Sequence, residues 1–158
     1  MTKRTFLLVI VAGALALAAS PAHADGKKLV VVVAKGSSLT SISKSDLKHC
    51  FLGDPISGGG RTLVPFNANP GTPERAGFDK VVLGMSSDET GRFWVDRKVR
   101  GQSAAPRSLP SNAHVAKVVA KFPGAIGYLP EDQLTPDVQA VKVDGAAYTD
   151  ARYSITAQ

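Results

Sequence analysis

The fold of this chain is decided by residues 62–85, TLVPFNANPGTPERAGFDKVVLGM. The first five residues form a short apolar run that predicts a buried strand, and residues 67–71 have the composition of a turn. Thr72 is expected to cap a helix, with Pro73 at its first position, where the missing N–H costs nothing. Apolar residues then recur at helical spacing and predict one buried helix face: Phe78, Val81, Val82 and Met85.

The turn before this helix is a candidate site for a small anion. A helix N-terminus carries free backbone N–H groups and a partial positive charge; Gly71 and Thr72 lie at that end, and Arg75 lies in the first turn. The alternative is a purely structural cap, because the carboxylate of Glu74 in the same turn would repel an anion. The sequence leaves both the anion site and the structural cap open. It predicts that Arg75 is exposed. Replacement of Arg75 by alanine is therefore expected to abolish anion binding with little loss of stability.

The first 24 residues predict an export signal. A basic start precedes residues 6–19, which are almost entirely apolar, and Ala22 and Ala24 fit a small-x-small cleavage site. The apolar run is short for a transmembrane span, and no later stretch is long and apolar enough to be one. We therefore expect a bacterial periplasmic or secreted protein, cleaved near Ala24, with a single domain over residues 25–158 and no membrane span in the mature chain.

Charge and composition argue against several classes of function. The formal net charge is +6, and removing Lys3 and Arg4 with the export signal lowers it from +6 to +4, which favours anionic ligands or surfaces. Aromatic residues are few and form no basic platform, so nucleic-acid binding is not expected. No nucleophile–base pair, metal-ligand spacing or carboxylate pair is visible. We therefore expect no enzymatic activity, no catalytic residues, no metal and no cofactor.

The order of predicted elements favours a three-layer α/β domain. Residues 28–34, KLVVVVA, predict a strand buried on both faces, because four valines follow one another without polar alternation. Strands are also expected at residues 125–129 and 138–143. The order is strand, helix, strand, three helices and two strands, which indicates a mixed or parallel sheet flanked by helices. Serines are expected to cap the remaining helices: Ser43, Ser86 or Ser87, and Ser111.

Individual side chains also have expected places. Trp94, the single Trp, is expected to anchor the core, and Phe122 to complete the apolar stripe of the last helix. Cys50 is the single cysteine, which excludes an internal disulfide, and its apolar helix position predicts burial. The glycine run 58–60 could cradle a phosphate, but a strand follows it and no Walker pattern is present. We interpret the run as a loop tip.

Four segments resemble, in order, elements of the phosphate ABC transporter substrate-binding protein family. Residues 42–53, ISKSDLKHCFLG, resemble its leucine-rich helix and Phe-Leu-Gly element, and residues 64–78 resemble its strand, Gly-Ser-Gly-Thr-like turn and following Arg and Phe. Residues 93–94 match an aromatic pair, and residues 122–129, FPGAIGYL, resemble its Pro-Gly-Ala-Ile-Gly-Tyr strand, the most specific match. The resemblance implies a short, single-lobe member of the type 2 periplasmic binding proteins.

The same resemblance implies a function. Gly71 and Thr72 would correspond to the anion-binding turn and Arg75 to the arginine that pairs with phosphate, although Pro70 replaces the serine of the family's turn. One lobe supplies only half a site, so an ABC permease, a second-lobe partner or a homodimer would complete it. We expect a periplasmic binder of inorganic phosphate or a similar oxyanion, linked to ABC-type uptake. The alternative is an envelope scaffold or protein-interaction module that keeps the lobe but not the ligand site.

Overall fold

The computed structural model describes residues 26–158; the predicted export signal, residues 1–24, lies outside the described residues. The described strands are β1 (Leu29–Ala34), β2 (Ser41–Ile42), β3 (Ser57–Gly58), β4 (Arg61–Thr62), β5 (Val64–Asn67), β6 (Arg107–Ser108), β7 (Ala125–Pro130), β8 (Val138–Ala140) and β9 (Lys142–Val143). The described helices are α1 (Lys44–Phe51), α2 (Pro73–Phe78), α3 (Ser87–Val99) and α4 (Asn112–Lys121). A π-helical turn, Asp79–Leu83, continues α2, and a 3₁₀ turn, Glu131–Gln133, follows β7.

A mixed five-stranded sheet forms the centre of the domain, in the order β6-β5-β7-β1-β8. Strand β5 runs parallel to β6 and to β7, whereas β1 runs antiparallel to β7 and to β8. The predicted mixed sheet is therefore confirmed. Because β5 and β6 are parallel neighbours, they end at the same edge of the sheet, and this edge positions the candidate site.

The valine run of β1 lies at the centre of three layers. Leu29, Val31 and Val33 belong to one apolar cluster, which includes side chains of α1 and α2. Val30 and Val32 face the other way into a second cluster with α4. All five side chains are at most 2% exposed. Helices thus cover both faces of the sheet, as the absence of polar alternation in this run predicted.

The predicted helix caps are confirmed. The side chain of each N-terminal cap accepts a hydrogen bond from the backbone N–H three residues later, which satisfies one of the free donors at a helix start. The donor–acceptor distances are 2.9 Å for Ser43 and 3.3 Å for Thr72, Ser86 and Ser111. Ser86, rather than Ser87, caps α3, and Glu89 completes a capping box by accepting from the Ser86 N–H at 2.8 Å.

Two core predictions are wrong. Phe122 is 59% exposed because it is the C-terminal cap of α4 and has extended backbone angles, so its side chain leaves the apolar stripe of that helix. Trp94 is only half-buried, because α3 lies on the periphery and Thr90 is its one buried residue. Instead, Trp94 packs edge-on against Phe93 with ring centroids 5.0 Å apart, and the Arg97 guanidinium lies over both rings.

The glycine run forms the tip of a hairpin. Strands β3 and β4 are antiparallel, and Gly59 and Gly60 connect them with φ angles of +60° and +76°. A two-residue hairpin turn of this kind needs positive φ at both positions, which glycine adopts without strain. The interpretation as a loop tip is confirmed. The sequence did not predict β3, and it predicted one strand over residues 62–66 where the structure has β4 and β5.

The last residues of the chain close over α2. Lys28 forms an antiparallel bridge with Thr156, and the Ala157 N–H donates to the Lys27 carbonyl at 2.8 Å. A Cβ added to Gly77 would lie 2.2 Å from the Thr156 carbonyl oxygen, so α2 can approach this segment only without a side chain there.

Among residues 26–158, none of the helices combines the length and the apolar composition that a membrane-spanning helix needs.

Cys50 is buried, as predicted, and should be unreactive in the native state. The residue is 1% exposed, and burial raises the pKa of its thiol to about 12. Because the thiolate is the reactive form, we expect negligible reaction with a disulfide reagent at pH 8 and complete reaction after addition of denaturant. Ser38→Cys, at an exposed position, is the matched control and should react at once. Rapid modification of Cys50 in native protein would contradict this packing.

Candidate oxyanion site

The candidate site lies at the edge of the sheet where β5 and β6 end. Asn67 is the last residue of β5 and Ser108 the last residue of β6. At most five residues separate each strand end from the helix that follows it, α2 or α4, so two helix N-termini lie near the same edge. In α/β sheets, ligands bind at the carboxyl ends of parallel strands, where helix N-termini supply partial positive charge.

Arg75 is buried rather than exposed, which contradicts the sequence expectation. The residue is only 9% exposed, and its Nε–H donates to both carboxylate oxygens of Asp79 at 2.9 Å each. The two residues lie four positions apart, so they occupy the same face of the helical segment. The terminal Nη1 of Arg75 lies 3.5 Å from Oγ of Ser108, a long contact that directs this end of the guanidinium toward the strand edge.

The partner of Arg75 is itself fully enclosed. Asp79 is 1% exposed, and burial raises the pKa of its carboxyl while the charge and the hydrogen bonds of the Arg75 guanidinium oppose that rise. An ionised carboxylate at this depth requires a cation beside it. The Arg75–Asp79 ion pair therefore belongs to the buried structure of the domain. Asp79 holds the guanidinium in a fixed position, and the net charge of the pair is close to zero.

Most of the hydrogen-bonding capacity of the turn before α2 is used within the turn. The Thr72 hydroxyl accepts from the Arg75 N–H at 3.3 Å and donates to the Asn69 carbonyl at 2.8 Å. The Thr72 N–H also donates to Asn69, at 3.3 Å. Pro70 and Pro73 have no N–H to offer. Among residues 69–74, the backbone N–H groups that donate no hydrogen bond are those of Asn69, Gly71 and Glu74.

Glu74 links the two helix N-termini. Its Oε1 accepts from Nδ2 of Asn112, the first residue of α4, at 3.1 Å. The carboxylate is thus held between the starts of α2 and α4, where both helix dipoles stabilise negative charge. This contact gives Glu74 a structural role, but its charge still opposes an incoming anion.

A buried tyrosine, Tyr128, lies beside the candidate site. The sequence did not indicate that it belongs there. The Tyr128 hydroxyl donates to Oδ1 of Asn67 and accepts from the Ala68 N–H, both at 3.2 Å. Its ring stacks on Phe78 with centroids 3.9 Å apart and an interplanar angle of 5°. Burial raises the pKa of this hydroxyl, so the group stays protonated and can continue to donate.

The structure places Gly71, Thr72 and Arg75 at the helix start beside the strand edge, and it shows which contacts each of them makes. Gly71 has a φ of +84° and open space around its missing side chain, Thr72 is committed to the turn, and Arg75 points inward. One sequence signal could have identified the buried pair. Arg75 and Asp79 each precede a residue of the apolar stripe by three positions, Phe78 and Val82 respectively, which places both beside the buried face.

Comparison with known proteins gives a fold and no closer relationship. No protein-family model matches the sequence, and no curated protein matches it. Solved structures do match. A candidate phosphate ABC transporter substrate-binding protein from Clostridium perfringens, crystallised with bound phosphate, superposes with a TM-score of 0.67 at 17% identity, over 83% of this chain and 53% of that chain.

Two further structures agree with this match. An ABC-type phosphate transport receptor from Vibrio cholerae has a TM-score of 0.59 and 16% identity, covering 76% of this chain and 47% of its own. PstS from Borrelia burgdorferi has a TM-score of 0.60 and 12% identity, covering 84% of this chain and 55% of its own. This chain has the fold of the phosphate ABC transporter substrate-binding proteins.

The phosphate-binding-protein fold confirms the resemblance inferred from sequence at the level of architecture. The chain spans about half the length of the three structures it matches, which agrees with the predicted single lobe. At 12–17% identity the match shows the fold alone, so ligand and partners are matters of proposal.

Proposed function

We propose that the domain provides half of a binding site for a small oxyanion such as inorganic phosphate, at the edge where β5 and β6 end. The observation that carries the proposal is the fixed guanidinium of Arg75. Asp79 holds it through Nε, which leaves the terminal nitrogens free to bind an anion and places one of them at the strand edge beside Ser108. A guanidinium held in place loses little conformational entropy when it binds a tetrahedral oxyanion.

Two backbone groups would add to this contact. The N–H groups of Gly71 and Glu74 are uncommitted in the turn at the start of α2, and Ser108 supplies an exposed hydroxyl on the neighbouring strand. N–H groups, a hydroxyl and a guanidinium together match the acceptors of a tetrahedral oxyanion. These donors come from two elements whose ends the parallel sheet aligns.

We expect a single lobe to bind weakly. Gly71 and Ser108 are exposed to solvent, Glu74 adds a negative charge, and Pro70 and Pro73 remove two donors that a serine- or glycine-rich turn would offer. A dissociation constant on the order of 1 mM is the expectation for such an unenclosed half-site. If the protein lies in the periplasm, a second lobe, a homodimer or the periplasmic face of an ABC permease would then supply the opposite wall.

The proposal is tested by calorimetric titration of the purified protein with phosphate and with sulfate. Ser108→Asp places a carboxylate beside Nη1 of Arg75, so it should compete with the anion and abolish binding, whereas Ser108→Ala should weaken binding by about threefold or less. Ser45→Asp is the matched charge control, since Ser45 is exposed in the first turn of α1, remote from this strand edge. Binding that survives Ser108→Asp would contradict the proposed site.

A protein-interaction module is the second candidate, and α3 provides the observation that favours it. Val95 and Val99 on this helix are 64% and 82% exposed, and Thr72, which would otherwise face a ligand, is committed to its own turn. If this function is correct, phosphate should give no heat up to millimolar concentrations. Sedimentation should instead show self-association or partner binding that Val95→Lys removes.

A further inference from the structure

A cavity opens at the edge of the sheet opposite to the one near Arg75. It has a volume of about 450 Å³ and lies where β1 ends at Ala34 and where β7 begins at Ala125. Strand β5 also begins beside it, because Leu63 contributes to its lining. Strand β5 thus separates the cavity from the proposed oxyanion site. Its first residues lie near the cavity, and its last residue, Asn67, lies near the oxyanion site.

All the ionisable residues that line this cavity are cations: Lys35, Arg61 and Lys121. Five ion pairs form among the described residues, and none of them includes any of these three side chains. Three uncompensated positive charges around one concave surface raise the local concentration of anions and favour their binding. Lysine and arginine are also the residues that donate most effectively to phosphate oxygens.

The remaining wall consists largely of backbone, because the lining is rich in glycine and serine. The hairpin tip at Gly59 and Gly60 leans on the loop after β1, where Oγ of Ser38 donates to the Gly59 carbonyl at 2.8 Å. Gly124 has a φ of +85°, and a Cβ there would lie 2.7 Å from the Thr62 carbonyl oxygen. Side chains are therefore excluded where the turn before β7 meets the hairpin. At Gly36 and Gly60 the space where a Cβ would lie is open, so a ligand can approach the backbone closely there.

The basic surface extends beyond the cavity itself. An adjoining cavity of about 660 Å³ shares Lys35 and Lys121 and adds Lys117, with Asp137 as the one carboxylate of its lining. Lys121 lies in the last turn of α4, where it also offsets the negative end of the helix dipole. Lys35 follows β1 and Arg61 belongs to the β3–β4 hairpin, so neither side chain offsets a helix dipole.

We propose that this cavity binds a small polyanion that carries more than one phosphate group. Its volume lies in the range of about 300–1,000 Å³ that is typical of sites for drug-sized ligands, so a single phosphate ion would leave most of it unfilled. Its three cations surround the space rather than converge on one turn, which suits charge distributed along a ligand. The inference does not rest on the proposed oxyanion site, because it uses other residues at the opposite edge.

Titration of the purified protein with tripolyphosphate tests the inference. We expect saturable binding that is tighter than that of inorganic phosphate. Lys35→Gln and Arg61→Gln should each weaken it by about tenfold, the effect of losing one charge-assisted contact. Both side chains are exposed, so thermal unfolding should be unchanged in either variant. Absence of saturable binding would overturn the proposal.

Matched variants show whether the cavity, rather than overall charge, is responsible. Lys98→Gln removes one positive charge from α3, remote from the cavity, and should leave tripolyphosphate binding unchanged. Ser108→Asp should also leave it unchanged, which separates this site from the proposed oxyanion site. An equal loss of affinity in Lys98→Gln and Lys35→Gln would overturn the proposal in favour of diffuse electrostatics.

A final arm distinguishes a free polyanion from a lipid headgroup. Vesicles of phosphatidylglycerol should fail to co-sediment the protein at 0.15 M salt, about the physiological ionic strength at which surface attraction is screened within ~8 Å. Strong sedimentation with such vesicles, together with no binding of tripolyphosphate, would replace the soluble ligand with a membrane surface and so contradict the proposal.

Discussion

Replacing Arg75 with alanine is expected to lower the free energy of unfolding by about 3–5 kcal/mol, because it leaves a buried carboxylate without its cation. Asp79 is 1% exposed and receives both Nε bonds at 2.9 Å. The sequence predicted the opposite, an exposed arginine with little effect on stability. Urea denaturation of the wild type and the variant measures the difference directly.

Two observations distinguish loss of the ion pair from simple loss of packing. The double variant Arg75→Met, Asp79→Leu removes both charges and should recover most of the lost stability, since apolar residues of similar size replace a buried pair well. In Arg75→Ala alone, Asp79 is more easily protonated in the folded than in the unfolded state. The destabilisation should therefore grow as the pH rises above about 4, the ordinary pKa of aspartate.

A loss below about 1 kcal/mol in Arg75→Ala would be typical of an exposed ion pair and would contradict the burial of this one. A double variant that is no more stable than the single variant would show that shape rather than charge accounts for the loss. Either result would contradict the interpretation that a buried ion pair with Asp79 holds the Arg75 guanidinium in place.

Replacing Phe78 with alanine is expected to lower the free energy of unfolding by about 3–5 kcal/mol. Phe78 is fully buried, stacks on Tyr128 with centroids 3.9 Å apart and lies 4.6 Å from the ring of Phe51. Its ring joins the helix of the candidate site to α1 and to the central sheet, so its removal leaves a cavity between all three. Phe78→Leu, which fills more of the space, should lose less than half as much.

The same urea denaturation experiment measures this effect, with circular dichroism to confirm that each variant is folded. A loss of less than about 1 kcal/mol in Phe78→Ala would mean that the site can collapse around the missing ring, contrary to the close packing of the three aromatic side chains. Val99→Ala is a suitable surface control, since this side chain is 82% exposed and should have little effect.

Local chemistry explains why much of the fold could be predicted from sequence. The four consecutive valines of β1 required burial on both faces, and the serines and threonine before each helix identified the helix starts; the structure confirms both. Each of these signals depends on a few neighbouring residues. Where an element's environment was set by distant residues, as for Trp94 on a peripheral helix, the prediction was wrong.

Strand pairing was the least predictable part. Strand β6 contains two residues and forms only because β5 lies beside it, with Phe66 opposite Arg107 and Asn67 opposite Ser108. The predicted strand over 138–143 divides at Val141, since β8 joins the central sheet whereas β9 pairs with β2. No local composition specifies such partners, because they depend on contacts between residues far apart in the chain.

The helix start at the candidate site was predictable from the sequence, but its contacts were not. The Thr72 cap and the Pro73 helix start place Gly71 and Arg75 together, as predicted. The direction of the Arg75 side chain depended on which helix face the rest of the domain would cover. Asn67, Ser108 and Tyr128 enter the site from other strands, and only the folded sheet brings them near Arg75.

Binding of a small oxyanion beside the fixed guanidinium of Arg75 can be observed by an NMR titration of ¹⁵N-labelled protein with phosphate. We expect saturable shifts of the backbone amides of Gly71, Glu74 and Ser108 and of the Arg75 Nε–H. The absence of any shift up to 10 mM, roughly ten times the expected dissociation constant, would contradict it. Shifts confined to Gly59, Gly60 and Gly124 would contradict it equally, since they would place phosphate in the basic cavity at the opposite edge.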